Sequence, residues 1–200
     1  MCSLGKNKAN IVKLNKNRIS GITIRIVGLV LNFLIVFYIG QNYTTEISAQ
    51  YFKDYSLLMF VSVIGRFGLE ELIVKYSSND SRNESSEFFS FLVNKLPVCI
   101  VATFVLTILI QIGSFVNVSF FVILFFIAGY NISSFSFSYL NGRNSLLQAS
   151  IPLFFIAPVS FISMLIFSKV LSSADILKFH AISYFIAVVI YFLLLKGLYM

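Results

Sequence analysis

Residues Phe120–Tyr130 read FFVILFFIAGY, a run with neither a charged side chain nor an alternating pattern. The run lies inside a longer apolar segment, Val118–Leu140, which exceeds the ~20 residues that an α-helix needs to cross a bilayer. A transmembrane strand would alternate apolar and polar residues over about ten positions, and this run does not. The segment therefore predicts a membrane-spanning α-helix.

Five further segments have comparable length and hydropathy. Together they predict an all-α, polytopic membrane protein: a six-transmembrane-helix bundle preceded by a basic tail over residues 1–18. The predicted spans lie at about residues 19–40, 55–75, 96–115, 118–140, 146–168 and 176–195.

The composition agrees with this class and excludes several others. Of the 200 residues, 58% are apolar and 12% are charged, whereas soluble chains average ~25% charged residues. A soluble domain of this size could not bury that much apolar surface. The net charge of +7 is spread between hydrophobic runs, so no nucleic-acid partner is expected, and membrane lipids are the expected surroundings. The sequence has no catalytic grouping, P-loop or metal-ligand cluster, so it predicts no enzyme, catalytic residue, cofactor or metal.

The distribution of basic residues predicts the orientation. The tail holds five basic residues and no acid, which places it in the cytoplasm by the positive-inside rule. Six spans then return the C-terminus to the cytoplasm. Ten basic residues fall on the cytoplasmic side and three fall outside, namely Lys53, Lys169 and Lys178.

Charged residues inside the predicted second span are candidates for function, because a charge near mid-bilayer costs roughly 2.5–3.5 kcal/mol or more. Arg66 lies close to the predicted midplane, with Glu70 one turn further on the same face. Glu71 and Lys75 are spaced for a second i,i+4 pair. Two interpretations of Arg66 remain open: a side chain that faces a cavity, or half of a structural pair with Glu70.

Arg25 lies about six residues from the cytoplasmic end of the first span. Glu70 and Glu71 lie at a matching depth on the next, antiparallel helix. The matched depth predicts an ion pair between Arg25 and one of these carboxylates. Snorkelling to the inner surface and a direct role in substrate or proton handling are the alternatives.

Polar side chains also follow helical spacing in the third and fourth spans. Asn131, Ser134 and Ser138 fall within a narrow arc of the fourth, and a stripe in the third comprises Lys95, Cys99, Thr103, Thr107 and Gln111. Small hydroxyl residues commonly mediate the packing of membrane helices, and lining of an aqueous cavity is the alternative. Pro152 and Pro158 predict a kink in the fifth span. His180 is expected to be an interfacial residue, with a proton carrier as the alternative.

Two segments resemble one family of transporters. They are YFKDYSLLMFVSVIGRFGLEELIVKYSS at Tyr51–Ser78 and YLNGRNSLL at Tyr139–Leu147. The chain resembles the Wzx-type O-antigen and polysaccharide flippases of the multidrug/oligosaccharidyl-lipid/polysaccharide exporter superfamily. In that family the second helix tends to end in a Gly-Leu step followed by a basic residue, here Gly68–Leu69 with Lys75. The short basic turn after the fourth helix is matched by Arg143.

The resemblance implies a function and partners. It implies that a lipid-diphosphate-linked oligosaccharide is translocated across the cell inner membrane by alternating access, through a cationic cavity between two six-helix lobes. This chain would be the N-terminal lobe of a longer transporter, or would assemble with a second copy. The residues mapped to the substrate cavity are Arg66, Arg25, Asn131 and Ser134, and those mapped to ion pairing or coupling are Glu70, Glu71 and Lys75.

Three other functions remain open on the sequence alone. Another secondary transporter of the same superfamily, such as a drug/cation antiporter, would carry buried acids in the outer half of its helices. A membrane enzyme such as an O-antigen polymerase would use a sizeable polar outer loop, and the predicted outer loops are short. The third alternative is an accessory membrane subunit.

The predicted topology can be tested with cysteine labelling in intact cells. The tail, the 76–94 loop and the 141–145 turn are expected in the cytoplasm, so a cysteine at Asn83 should resist an impermeant thiol reagent. A cysteine at Lys53, on the predicted outer side, should react. Labelling of Asn83→Cys from outside would overturn this orientation.

Overall fold

The structure is a computed structural model. It describes the backbone of residues 3–66, 68–78, 82–113, 115–116, 118–143, 145–168 and 172–199. Side chains are described over residues 19–66, 68–78, 97–113, 115–116, 118–143, 145–168 and 172–194. The side chains of the basic tail, and those of Arg82, Asn83, Lys95, Lys169 and Lys196, lie outside the described residues.

The described residues form seven helices, which confirms the all-α class. The helices are α1 (Ser3–Asn42), α2 (Thr45–Arg66), α3 (Leu69–Ser78), α4 (Arg82–Ile112), α5 (Phe120–Gly142), α6 (Leu146–Phe167) and α7 (Ser173–Tyr199). Within α6, residues Pro152–Ile156 are π-helical. Pro158 has no N–H to donate to the Phe154 carbonyl, so a local departure from α-helical hydrogen bonding is expected there.

Four helical segments are long and apolar enough to cross a membrane, so the protein is a membrane protein. They are Ile19–Asn42, Phe120–Gly142, Leu146–Phe167 and Ser173–Leu194. These segments coincide with four of the six predicted spans. The predicted third span falls on α4, whose described apolar part is the shorter Pro97–Ile112.

The prediction of one continuous second helix over residues 55–75 was wrong. The chain forms α2 and α3 there, and the break contains Gly68 at φ +70°, a left-handed conformation that residues with a Cβ rarely adopt. α2 also begins ten residues earlier than predicted, after a turn in which Thr44 Oγ1 accepts a hydrogen bond from the Ile47 N–H (3.4 Å). The predicted outer segment before Tyr55 is therefore largely helical.

Helix α5 is the centre of the bundle, since it packs against α2, α3, α4, α6 and α7. α1 packs mainly on α6, whereas α2 packs on α4, α5 and α7. We name the two ends of the bundle by the turns that lie there. The Tyr43 end holds the α1–α2 turn and the beginnings of α5 and α7, and the Gly142 end holds the α5–α6 turn.

Gly68 allows a test of the helix break. A Cβ at Gly68 would meet no atom within 4 Å, so Gly68→Ala adds backbone strain without a steric clash. We expect a loss of about 1–2 kcal/mol in the free energy of unfolding, measured by denaturant titration in mixed micelles. Gly40→Ala is the matched control. Gly40 also has open space around it but is a helical residue of α1, so alanine should be neutral or stabilising there. Equal effects at both positions would contradict the strained break.

Candidate functional site

A cavity of about 590 Å³ lies between α1, α2, α3, α5, α6 and α7. At its Gly142 end the walls are polar and carry Arg66, Glu70, Ser134 and Ser138. Towards the Tyr43 end the walls are aromatic and include Tyr51, Phe52, Tyr55, His180 and Tyr184. We call this space the bundle cavity. Its volume is in the range of small-molecule sites.

Arg66 is the most constrained side chain of the bundle cavity. The residue is only 6% exposed. Its Nε donates to the Ser62 carbonyl oxygen (3.1 Å), and its Nη1 donates to Glu70 Oε1 and to Ser134 Oγ. The guanidinium carbon also lies 4.9 Å from the centre of the Tyr130 ring, a cation–π distance. The predicted pairing of Arg66 with Glu70 is thus present, and Ser134 and Tyr130 of α5 complete the surroundings.

The guanidinium group of Arg66 lies deep inside the bundle. Its partner Ser134 is about 21 Å along α5 from Phe120 and about 12 Å from Gly142, at ~1.5 Å per residue. The group is therefore nearer the Gly142 end than the predicted midplane position, and about two turns from that end. Snorkelling over that distance is costly, so the charge requires partners within the bundle.

Glu70 is a replaceable partner of Arg66. The Glu70 side chain is 37% exposed and lines the bundle cavity, whereas Arg66 is enclosed. Arg66 Nη2 has no hydrogen-bond partner among the residues that the structure describes. An anion that enters the cavity can therefore bond to the free edge of the guanidinium or take the place of Glu70, and the planar group favours two-point binding of phosphates.

The predicted ion pair between Arg25 and Glu70 or Glu71 was wrong. The Arg25 guanidinium carbon lies 4.9 Å from the Phe137 ring centre and 5.8 Å from that of Phe154, and Nε has no hydrogen-bond partner among the described residues. In the described part of the chain, ion pairs join Arg66 to Glu70 and Lys178 to Asp175. Matched depth did not bring the groups together, because α1 packs on α6 and not against α3.

Arg25 nevertheless borders the bundle cavity. Phe137 and Phe154, the two rings beneath its guanidinium, both line that space. Phe137 lies seven residues beyond Tyr130 on α5, about 10 Å along the same helical face. Two guanidinium groups, one from α1 and one from α2, therefore stack on the same wall of α5.

The other predicted site residues lie elsewhere. Asn131 does not line the bundle cavity but faces an apolar groove between α2, α4 and α5. Its Oδ1 is buried there without a hydrogen-bond partner in the part of the chain that the structure describes. Glu71 and Lys75 are exposed and do not form the ion pair for which they are spaced. Of the seven predicted residues, the cavity therefore gathers Arg66, Glu70 and Ser134, with Arg25 at its border.

The polar stripe of α4 packs against α2 and does not line the bundle cavity. Cys99, Thr103 and Thr107 are buried, and the Cys99 thiol lies 3.9 Å from the Arg66 carbonyl oxygen. Thr107 Oγ1 donates to the Thr103 carbonyl oxygen (2.7 Å). A Cβ on Gly65 would overlap the Thr103 hydroxyl, so the two helices approach closely at this point. The packing interpretation of the stripe agrees with these contacts.

The prediction that His180 is interfacial was wrong. His180 is buried, its Nδ1 lies 2.9 Å from the Tyr51 hydroxyl, and its ring stacks on Phe161, Tyr55 and Tyr184. The sequence contained a signal for this cluster. Tyr51 and Tyr55, like His180 and Tyr184, are spaced i,i+4 and so share a helix face. Tyr51 was missed because the second span was predicted to begin after it.

The Arg66–Glu70 pair can be tested by neutralising each of two adjacent carboxylates. Glu70→Gln leaves the enclosed Arg66 charge without its counter-ion, so we expect a loss of about 2 kcal/mol in the free energy of unfolding. This loss is smaller than for a fully buried pair because Glu70 is partly exposed to solvent. Glu71→Gln, at the exposed neighbouring position, should change it by less than about 0.5 kcal/mol. Similar losses in both variants would show that Glu70 does not balance Arg66.

No family model, curated protein or solved structure matches this chain.

Proposed function

We propose that the chain forms one lobe of a flippase that moves a lipid-diphosphate-linked oligosaccharide across the bacterial inner membrane by alternating access. The observation that carries the proposal is the enclosed guanidinium of Arg66 at the wall of the bundle cavity, with a partly exposed carboxylate as its counter-ion. A cation held inside a membrane bundle, with an anion that can be exchanged, is suited to binding an anionic group in transit.

The diphosphate of the substrate would bind at the polar part of the cavity. Its oxygens would accept hydrogen bonds from Arg66 and from Ser134 as Glu70 withdraws. Arg25, about two helical turns away along the same wall of α5, supplies a second positive charge at the border of the cavity. A divalent anionic head group is better matched by two guanidinium groups than by one.

The rest of the head group would extend towards the aromatic part of the cavity. Tyr55 and Tyr130 are partly exposed there and offer both a ring face and a hydroxyl group to a sugar. The cavity opens between α1 and α2, where its lining residues Val36 and Ser56 are exposed. A complete oligosaccharide needs more room than this lobe encloses, which supports a second lobe, from the same gene or a second copy, facing the opening.

In this proposal the Gly142 end is cytoplasmic, as are both termini. The support is the basic tail together with Lys75 and Arg143, which belong to the same end. Arg66, which is nearer this end, would then receive its ligand from the cytoplasmic leaflet.

One observation favours a second candidate, a cation-coupled antiporter of the same superfamily. Such a transporter is expected to carry a buried acid in the outer half of the bundle. Asp54, near the Tyr43 end of α2, is fully buried.

The proposed function predicts selective binding of a diphosphate. The purified chain in micelles should bind a short-chain prenyl diphosphate more tightly than the matching monophosphate, and the uncharged prenol least, by isothermal titration calorimetry. Arg66→Ala should weaken diphosphate binding at least tenfold, since a hydrogen bond to a charged group is worth about 1.5–3 kcal/mol. Arg66→Lys should be intermediate, because it keeps the charge and loses the planar fork.

Lys75→Ala removes a positive charge from the exposed surface of α3 and is the matched control, which should bind like the wild type. Wild-type affinity in a folded Arg66→Ala variant would contradict the proposal. Equal affinities for diphosphate and prenol would contradict it as well.

A further inference from the structure

Asp54 is a buried carboxyl group that the proposed substrate site does not use. The residue is 0% exposed, and it lies on α2 one turn beyond Gln50, whose amide Nε2 donates to Asp54 Oδ1 (2.8 Å). The other oxygen, Oδ2, is buried and has no hydrogen-bond partner among the described residues. A carboxylate with one free buried oxygen is costly in its ionised form.

Asp54 faces α4. It lies eleven residues before Gly65, just over three full turns, so the two positions share one face of α2. Gly65 packs against Thr103 of the antiparallel α4. Measured along the helix axes from that contact towards the Tyr43 end, Gln111 lies about 12 Å away on α4 and Asp54 about 16 Å away on α2. The two residues therefore differ in depth by about one helical turn. Gln111 Oε1 is also buried and has no hydrogen-bond partner within the described residues.

Nothing in the described part of the chain neutralises Asp54. No described basic side chain lies within ion-pair distance of it, and Lys53, next to it on α2, is exposed. The described part of α4 contains Cys99 as its one titratable side chain, and α6 contains none. α5 contains no basic side chain, and the other described basic groups on α1, α2 and α7 are bonded or stacked elsewhere: Arg25, Arg66 and His180 as given above, and Lys178 on Asp175.

We propose that Asp54 is a proton-binding site, occupied at neutral pH while α2 is packed against α4. The proton makes the carboxyl group neutral, which removes the cost of a buried charge, and gives Oδ2 a donor in a region where Gln111 offers an unused acceptor. Release of the proton needs water or another base to reach a fully enclosed group, so it requires α2 and α4 to separate. Proton binding would therefore favour the packed arrangement. This inference does not depend on what the bundle cavity binds.

Infrared spectroscopy tests the proposal directly. A protonated carboxyl group has a C=O stretching band that a carboxylate lacks and that shifts in D₂O. At pH 7, the wild-type spectrum minus that of Asp54→Asn should contain this band, because asparagine matches the shape of the neutral acid. The matched control is Glu46→Gln, which neutralises an exposed acid in the first turn of α2, and its difference spectrum should lack the band.

A measurement on the unmodified chain covers the case in which Asp54→Asn does not fold. The chain has three aspartates, so after ¹³C labelling of their carboxyl groups one should retain the chemical shift of a neutral acid at pH 7. Three ionised aspartates would overturn the proposal. Asp54 would then be balanced by a metal cation or by a basic side chain outside the described residues, such as Lys169. A protonated-acid band that persists in folded Asp54→Asn would overturn it too.

Discussion

The need to keep one guanidinium group charged inside a membrane bundle governs the arrangement around the cavity. Arg66 is enclosed about two turns from the nearer end of α5. Its charge is balanced by Glu70, one helical turn away, and its guanidinium also contacts Ser134 and Tyr130. Each partner comes from the central helix or from the segment just past the break at Gly68. Removal of Glu70 leaves the Arg66 charge without its counter-ion, which is the costly case for buried pairs.

The same constraint gives the cavity its polarity. Charged and hydroxyl groups gather towards the Gly142 end, while tyrosine, phenylalanine and histidine rings fill the other end and stack on one another. Asp54 lies outside this space on a different face of α2, so one helix carries a cationic group at a cavity and an acidic group at a helix interface. A movement of α2 would change the surroundings of both groups at once.

Much of the fold could be predicted from hydropathy, because span length and charge depletion are properties of each segment alone. The Arg66–Glu70 pair could be predicted because i,i+4 contact is local. The predicted ion pair of Arg25 with Glu70 or Glu71 was wrong, because the depth of a residue in the membrane does not reveal which helices are neighbours. His180 was misjudged, and Asp54 was not singled out, for another reason. Residues 45–54, which include Asp54 and the His180 partner Tyr51, were predicted as a loop, yet they form more than two helical turns in which Tyr51 and Asp54 are buried. The helix break at Gly68 could not be predicted, because it depends on a left-handed backbone conformation that is seen only in the structure.

The most direct test of the central claim is the charge selectivity of the cavity. In a chain with Cys2→Ser and Cys99→Ala, a cysteine replacing Ser138, which lines the cavity one turn from Ser134, can be modified with small thiosulfonate reagents of opposite charge. The account predicts faster modification by the anionic reagent than by the cationic one. It also predicts that Arg66→Gln removes the preference and that a prenyl diphosphate protects the thiol. A cysteine that prefers the cationic reagent, or a preference unaffected by Arg66→Gln, would contradict an anion-binding cavity built around Arg66.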